Sequence, residues 1–361
     1  QWSATNTLST SVTAVNDAPL ISGLDATSPN ATFAVPYVQG GTAVIIDPDA
    51  TLIDRELSVE RNNWNGATLT IQRWNTTTNQ AAPSSDDVIS PWGNTSNGLY
   101  LYTESGTNIN KVLVHGTYVA TWSRDSSYSN GTLTLTFNSS ATALRVNQAL
   151  QYLQYSNTKT SAGSLSYNSL TLAVTVNDQN TNITGGGSAG TTTGAQDQGN
   201  GGRLSATQLI AINIDRLPVL NADTSSVSEG VATTDTTSVS GNLITGGTAD
   251  TDADSDTLSI IGIKKGSATA GAAGYTAVSS GSTSSSNPTA ITGSYGTLNL
   301  GADGSYSYAA DNTLSDVQAL AIGESLTDSF AYRISDGRGG FNQTTLTITI
   351  TGTNDAPLLD A

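Results

Sequence analysis

Apolar and polar residues alternate with period two in several short stretches of the chain. Ala67-Thr68-Leu69-Thr70-Ile71, Thr132-Leu133-Thr134-Leu135-Thr136-Phe137, Leu170-Thr171-Leu172-Ala173-Val174-Thr175-Val176 and Leu346-Thr347-Ile348-Thr349-Ile350 are the cleanest. Each predicts a half-buried antiparallel strand, because successive side chains of an extended backbone point to opposite faces. Val44-Ile45-Ile46, the stretch 207–212 and Leu258-Ser259-Ile260-Ile261 read as further strands. Tyr295 to Leu300 and Gly304 to Tyr308, joined by Gly301-Ala302-Asp303, predict a hairpin. A helical spacing recurs at Val146, Ala149, Leu150 and Leu153, and a shorter one at Leu314, Val317 and Leu320. The pattern therefore predicts an all-β chain of antiparallel sandwiches with little helix.

Punctuation divides the strands into modules. Asn16-Asp17-Ala18-Pro19 returns as Asn354-Asp355-Ala356-Pro357 after an alternating strand, and Asp215-Arg216-Leu217-Pro218 holds the corresponding place midway. Repetition of a strand-then-linker phrase marks a tandem array, since Pro fixes φ and cannot continue a ladder. Residues 1–15 then read as the last strand of a preceding module, 16–216 as one sandwich and 217–361 as a second. The stretch 181–203, rich in Gly, Thr and Asn, predicts a long loop, because its composition buries little.

Composition narrows the chemistry. With 361 residues and 36% apolar content the chain can fill about two cores. It has no Cys, no Met and a single His, His115, so disulfides and thiolate metal sites are excluded and zinc is disfavoured. A formal charge of −16 disfavours nucleic acid and anionic membrane as partners, and no run is long enough to span a bilayer. The chain opens in mid-strand without signal-peptide features, as expected of a segment of a longer protein.

The acidic residues are not scattered. Asp47, Asp49, Asp54 and Glu56 fall within ten residues beside one Arg, directly after a strand. Asp250, Asp252, Asp254 and Asp256 follow at even spacing, which on an extended backbone sets them on one face. Such clusters suit a hard cation that takes six to eight oxygen ligands, chiefly Ca²⁺. The alternative is a solvated acidic loop. Asn16, Asp17 and Asp178 are placed to join the first cluster, and the Asp at each junction (Asp17, Asp215, Asp355) suggests a repeated ligand. An EF-hand is excluded, since the sixth position from Asp250 is Ser255 and the twelfth is Ile261.

Other motifs carry less. Gly186-Gly187-Ser188-Ala189-Gly190 matches a nucleophile-elbow spacing but lacks the flanking strand and helix that the chemistry needs, and His115 reads as a strand residue near a turn. Among Trp64, Trp74 and Trp92, the last sits in a turn-rich setting where a ring can stack on a sugar or a peptide. Asp86 and Asp87 nearby could hold a bridging cation there; the alternative is that the Trp rings plug the sandwich.

On these residues the second module resembles the VCBS and cadherin-like repeats of giant bacterial RTX adhesins. The resemblance rests on Asp250 to Leu258, Tyr295-Gly296-Thr297-Leu298, Asp303-Gly304-Ser305-Tyr306, Ser335-Asp336-Gly337 and Thr351 to Pro357. The first module is similar to another unit of such adhesins through Val15 to Pro19, Asp47-Pro48-Asp49, Asp54-Arg55-Glu56-Leu57, Gly66 to Ile71 and Leu150 to Thr158. The resemblance implies a type I secreted, non-enzymatic protein of the bacterial cell surface, acting in adhesion or biofilm attachment, with several Ca²⁺ ions at the ends and seams of Ig- or cadherin-like sandwiches. It adds Asp336, and Asn354 beside Asp355, to the expected ligands. Neighbouring modules are the implied partners, with a cell-surface peptide, protein or glycan as the candidate ligand of 16–216. Plain extender repeats are the alternative. A carbohydrate-active enzyme, which would need a carboxylate pair about 5–10 Å apart in a groove, is another.

Overall fold

A computed structural model describes residues 15–24, 34–126, 131–180, 202–269 and 271–354. The chain divides into two compact units. One comprises Gln1–Lys159 with Ser169–Ile214, the other Thr160–Asn168 with Asp215–Ala361. Asp215 and Arg216, at the end of the first module as read from sequence, thus group with the second unit.

In the first unit, a large sheet orders Val35–Val38, Ser205–Asp215, Ser169–Asn177, Thr68–Asn75, Thr132–Phe137, Thr117–Ser123, Asn110–Val114 and Leu99–Thr103. Smaller sheets are formed by Val44–Ile45, Leu153–Asn157 and Asp87–Pro91, and by Leu20–Ser22 with Thr51–Ile53. The alternating stretches become the centre of the large sheet. Leu69 and Ile71 are buried, as are Leu133 and Leu135 and, on the next strand, Leu172, Val174 and Val176. Their intervening Thr residues face outward, and Thr70 meets Thr134 through a 3.0 Å hydroxyl contact. Burial of those apolar faces drives the fold, at about 25 cal/mol per Å² removed from water. Trp64 lies wholly inside, edge-on to Phe137 at 6.4 Å.

The helix runs Ala143–Gln151, with Thr142 capping its first turn and Val146, Ala149 and Leu150 buried. Leu153, expected at its end, instead begins a strand. The helix also positions chemistry. Asn147 Oδ1 accepts from the Leu52 amide at 2.8 Å, and Gln151 Nε2 donates to the Ala50 carbonyl at 3.0 Å. Both bonds fix the strand that delivers Asp54.

The second unit is a β-sandwich of two sheets. One orders Asp223–Ser228, Phe341–Thr351, Ser325–Ser335, Ser259–Lys265 and Thr276–Ala277; the other orders Ser238–Asn242, Ser305–Ala310, Gly296–Leu300 and Thr289–Thr292. The expected hairpin is present, pairing Gly296–Leu300 with Ser305–Ala310. Phe330, Tyr332, Leu346, Ile348, Leu298 and Tyr308 fill the space between the sheets. One pairing departs from the antiparallel expectation: Asp223–Ser228 runs parallel to Phe341–Thr351. Its chain continues into the opposite sheet, so no tight hairpin imposes an antiparallel partner. Among the described residues, no helix is long and apolar enough to cross a membrane.

Candidate metal centres

In the first unit, Asp54 ends the strand Thr51–Ile53 and caps a π-helical turn, Arg55–Glu60, accepting from the Leu57 amide at 2.9 Å. The turn swings Glu56 back beside Asp54, and both are nearly inaccessible. Asp178 follows the strand Ser169–Asn177 and holds the Asn180 and Leu204 amides on one oxygen, at 3.0 and 2.9 Å. Its other oxygen accepts from Asn16 Nδ2 at 2.6 Å, and the same amide donates to the Gly202 carbonyl at 2.9 Å. Four segments distant in sequence therefore meet in one acidic recess.

The recess is electrostatically incomplete. Asp54 Oδ2, Glu56 Oε2 and Asn16 Oδ1 are buried without a hydrogen-bond donor. Burial, followed by the charges of Glu56 and Asp178, pushes the Asp54 carboxyl up to about 7. Burial raises Glu56 as well, with Asp17 adding to it. Asp17 itself is exposed and lies 3.9 Å from Arg55, a contact worth little in water.

Asp47 and Asp49 have other surroundings. Asp47 Oδ1 accepts from the Asp49 and Ala50 amides at 3.0 and 2.8 Å, which makes it the anchor of the turn, while Asp49 is exposed.

The second unit gathers a larger set. One carboxylate oxygen each from Asp215, Asp254 and Asp256 lies within 4.8 Å of the others. Both oxygens of Asp215, and Oδ2 of Asp252, Asp256 and Asp336, are buried with no donor in hydrogen-bonding geometry. Burial, then the charges of Asp336 and Asp256, raises Asp215 to about 6. Asp336 is raised by burial and then, among charges, by Asp252 and Asp256. Burial also raises Asp254, but Arg216 outweighs it and holds that carboxyl below its usual range, with its Nε at 3.0 Å, its Nη2 at 2.8 Å and its amide at 2.9 Å. Arg338 Nε donates to Asp256 at 2.6 Å.

The even spacing of these Asp residues acts differently from the extended run expected. Asp252 Oδ1 accepts from the Asp254 and Asp256 amides at 2.8 and 3.2 Å, which winds the segment into a turn, and Ser255 adopts φ +65°. Convergence comes from that turn and from the approach of Asp215 and Asp336. Asp250 stands apart, accepting from the Asn221 amide at 2.7 Å; burial and then Asp223 push it up to about 6, and its Oδ2 has no donor.

Gly340 makes room for Asp336. A Cβ built on it would fall 2.1 Å from Asp336 Oδ2. Gly340→Ala is expected to displace that carboxylate and to lower the affinity of the second unit for any divalent cation at least tenfold in a calorimetric titration, whereas Gly337→Ala, with open space around it, strains only its own turn at φ +81°.

Glu229 escaped the sequence reading. It is buried, accepts from the Thr353 amide at 2.7 Å and leaves Oε2 without a donor; the residue after Thr353 in the chain is the exposed Asn354. The available signal was a lone acid closing a Ser-Val-Ser strand next to a Gly. Asp355, the Gly186 to Gly190 motif, most of the loop 181–203 and all but the last residue of 1–15 lie outside the described residues.

The aromatic candidates separate. Trp92 is 44% exposed and stacks on Tyr152 at 5.5 Å, while Trp64 is a core plug and Trp74 is half-buried. His115 is a turn residue at φ +46°, 3.2 Å from the Tyr152 hydroxyl. Asp87 is fully buried and engaged by Arg73 at 3.3 Å, Tyr155 at 3.0 Å and Asn157 at 3.3 Å, so it is an internal ion pair with no face for a ligand. Asp86 pairs with Lys159 at 3.7 Å.

A family model described as a bacterial cadherin-like domain matches residues 215–352. Among solved structures, extracellular cadherin domains 1–5 of protocadherin gamma B2 align with 95% of this chain at 10% identity and a TM-score of 0.28. Human mucin-like protocadherin EC1-2 aligns with 55% of this chain and 76% of its own at 14% identity and a TM-score of 0.21. This chain covers 42% of the protocadherin gamma B2 structure. No curated protein matches the chain. Over residues 215–352, then, this protein of two β-sheet units is similar to a bacterial cadherin-like domain.

Proposed function

We propose that the chain is a Ca²⁺-stiffened segment of an extracellular bacterial adhesin, non-enzymatic, in which each unit is a module of a tandem array. The observation that carries this reading is the set of buried carboxylate oxygens without donors, on Asp215, Asp252, Asp256 and Asp336 in the second unit and on Asp54 and Glu56 in the first. Buried like charges are costly unless a cation or protons compensate them. Hard oxygen donors alone, with no sulfur and no imidazole among them, fit Ca²⁺. Asn16, Asp17, Asp54, Glu56 and Asp178 would hold it in the first unit, and Asp215, Asp252, Asp254, Asp256 and Asp336 in the second. Glu229, bonded to the Thr353 amide and with Oε2 lacking a donor, extends the same logic to the junction at Asn354.

The exposed Trp92 and Tyr152 stack favours the first unit as the one that meets a peptide or sugar of another cell. Type I secretion and a role in biofilm attachment accompany this reading. Asp336→Asn separates it from the solvated-loop alternative by the sign of its effect. In EDTA the variant is expected to melt at or above the parent, because one repulsive charge is gone. In excess calcium it is expected to melt below the parent, because a ligand is gone. Scanning calorimetry in both buffers reads the crossing, and a variant that is equally stable relative to its parent in both would remove the metal from this site.

A further inference from the structure

The second unit has five basic side chains in a chain of net charge −16. Arg216 and Arg338 are spent on Asp254 and Asp256. Lys264 and Arg333 have no carboxylate within ion-pair distance among the described residues, and both lie against Tyr275. Lys264 Nζ lies 4.9 Å from the centre of the Tyr275 ring and the Arg333 guanidinium 3.9 Å from it, so both cations rest on one aromatic ring. The other neighbour of Arg333 is Phe341, at 5.2 Å, whose ring is 48% exposed.

The group is held in place from beneath. The Tyr275 hydroxyl donates to Gln343 Oε1 at 3.0 Å, Arg333 Nε donates to the same oxygen at 3.4 Å, and Gln343 Nε2 donates to the Thr269 carbonyl. Arg333 Nη2 donates to the Ala272 carbonyl at 2.6 Å. Two of the five guanidinium N–H groups are thereby committed, and the remaining three are available to a planar acceptor. A cleft of about 380 Å³ opens against Arg333, Phe341 and Asn342.

We propose that this outer face binds a uronic-acid saccharide, with the sugar carboxylate on Arg333, Lys264 adding positive charge across the Tyr275 ring, and the pyranose face on the exposed Phe341 ring. The charge requirement follows from two cations left unpaired where acids are plentiful. Arg presents a fork that matches a carboxylate's two oxygens. A sugar ring offers what a simple anion lacks, an apolar face for Phe341. The cleft has the dimensions of one or two sugar rings. This assignment does not depend on the calcium reading.

The test is calorimetric titration of the whole chain, in calcium buffer, with trigalacturonic acid, maltotriose and inorganic sulfate. Saturable binding of trigalacturonic acid alone is expected, weakened at least tenfold in the Lys264→Gln/Arg333→Gln pair and again in Phe341→Ser, whose half-exposed ring leaves the core untouched. Melting temperatures of the variants confirm folding. Unchanged affinity in the double variant would mean that the uronate reaches the protein through calcium at an acidic cluster, and would overturn the proposal. So would equal binding of maltotriose, displacement by sulfate at matched ionic strength, or no saturable binding at all.

Discussion

Stripping calcium with excess EDTA is expected to lower the melting temperature by about 5–10 °C for each site emptied. A ligand at one hundred times its dissociation constant stabilises the folded state by about 2.7 kcal/mol. For a unit of roughly 150–200 residues each kcal/mol moves the midpoint by about 2–4 °C. The loss arises from the molecule's own charge distribution: without a cation, Asp215, Asp252, Asp256 and Asp336 face one another with buried oxygens that accept nothing. Because the two units carry separate recesses, two transitions that respond independently to calcium are expected, resolvable by calorimetry. Identical melts in calcium and EDTA would leave the acidic recesses as features of the bare fold.

The metal-free protein should become more stable as pH falls from 8 to 5, opposite to the usual behaviour of a protein rich in paired carboxylates. Asp54 is raised to about 7, and Asp215 and Asp250 to about 6, against an ordinary value of 3.8. The folded state therefore holds these protons more tightly than the unfolded chain does. Their contribution is fully present below about 3.8 and is lost as pH rises through 6 and 7. Each pKa unit corresponds to about 1.4 kcal/mol. After allowance for the partial solvent contact of Asp215, the swing is a few kcal/mol, or a rise in midpoint on the order of 5–10 °C from pH 8 to pH 5 in EDTA. Calcium should flatten that slope and release protons on binding near pH 6, a release that titration in buffers of different ionisation enthalpy reads directly. A metal-free midpoint that falls steadily with acidification over this range would show that the recesses are solvated.

The acids differ in how local their structure is, and this governs what sequence spacing could reveal. Asp47 was legible as part of an acidic run, but its oxygen is consumed by amides two and three residues away. An Asx-type turn of that kind is itself a local device, equally compatible with the same letters. Asp54 and Glu56 were legible as a pair, yet their burial depends on a π-helical turn and on Asp178 arriving from a strand over 120 residues later. Asp254 shared the even spacing of its neighbours, and only the seam residue Arg216 distinguishes it by taking both of its oxygens. Glu229 carried almost no signal, because its partner Thr353 lies at the other end of the unit.

By itself the sequence determined the all-β character, the principal strands and the hairpin 296–310, since two-residue alternation and turn chemistry are local properties. It also determined that any metal here would be bound by oxygen, because the chain offers no thiol and a single imidazole. Tertiary structure alone decided which carboxylates lose their water. Desolvation depends on what packs above a side chain: it left Asp49 in solvent, locked Asp87 into the core with Arg73, and brought carboxylate oxygens of Asp215, Asp254 and Asp256 within 4.8 Å of one another. The parallel pairing of Asp223–Ser228 and the gathering of Lys264, Tyr275, Arg333 and Phe341 were likewise fixed only by strand order, which brings together residues that no spacing along the chain connects.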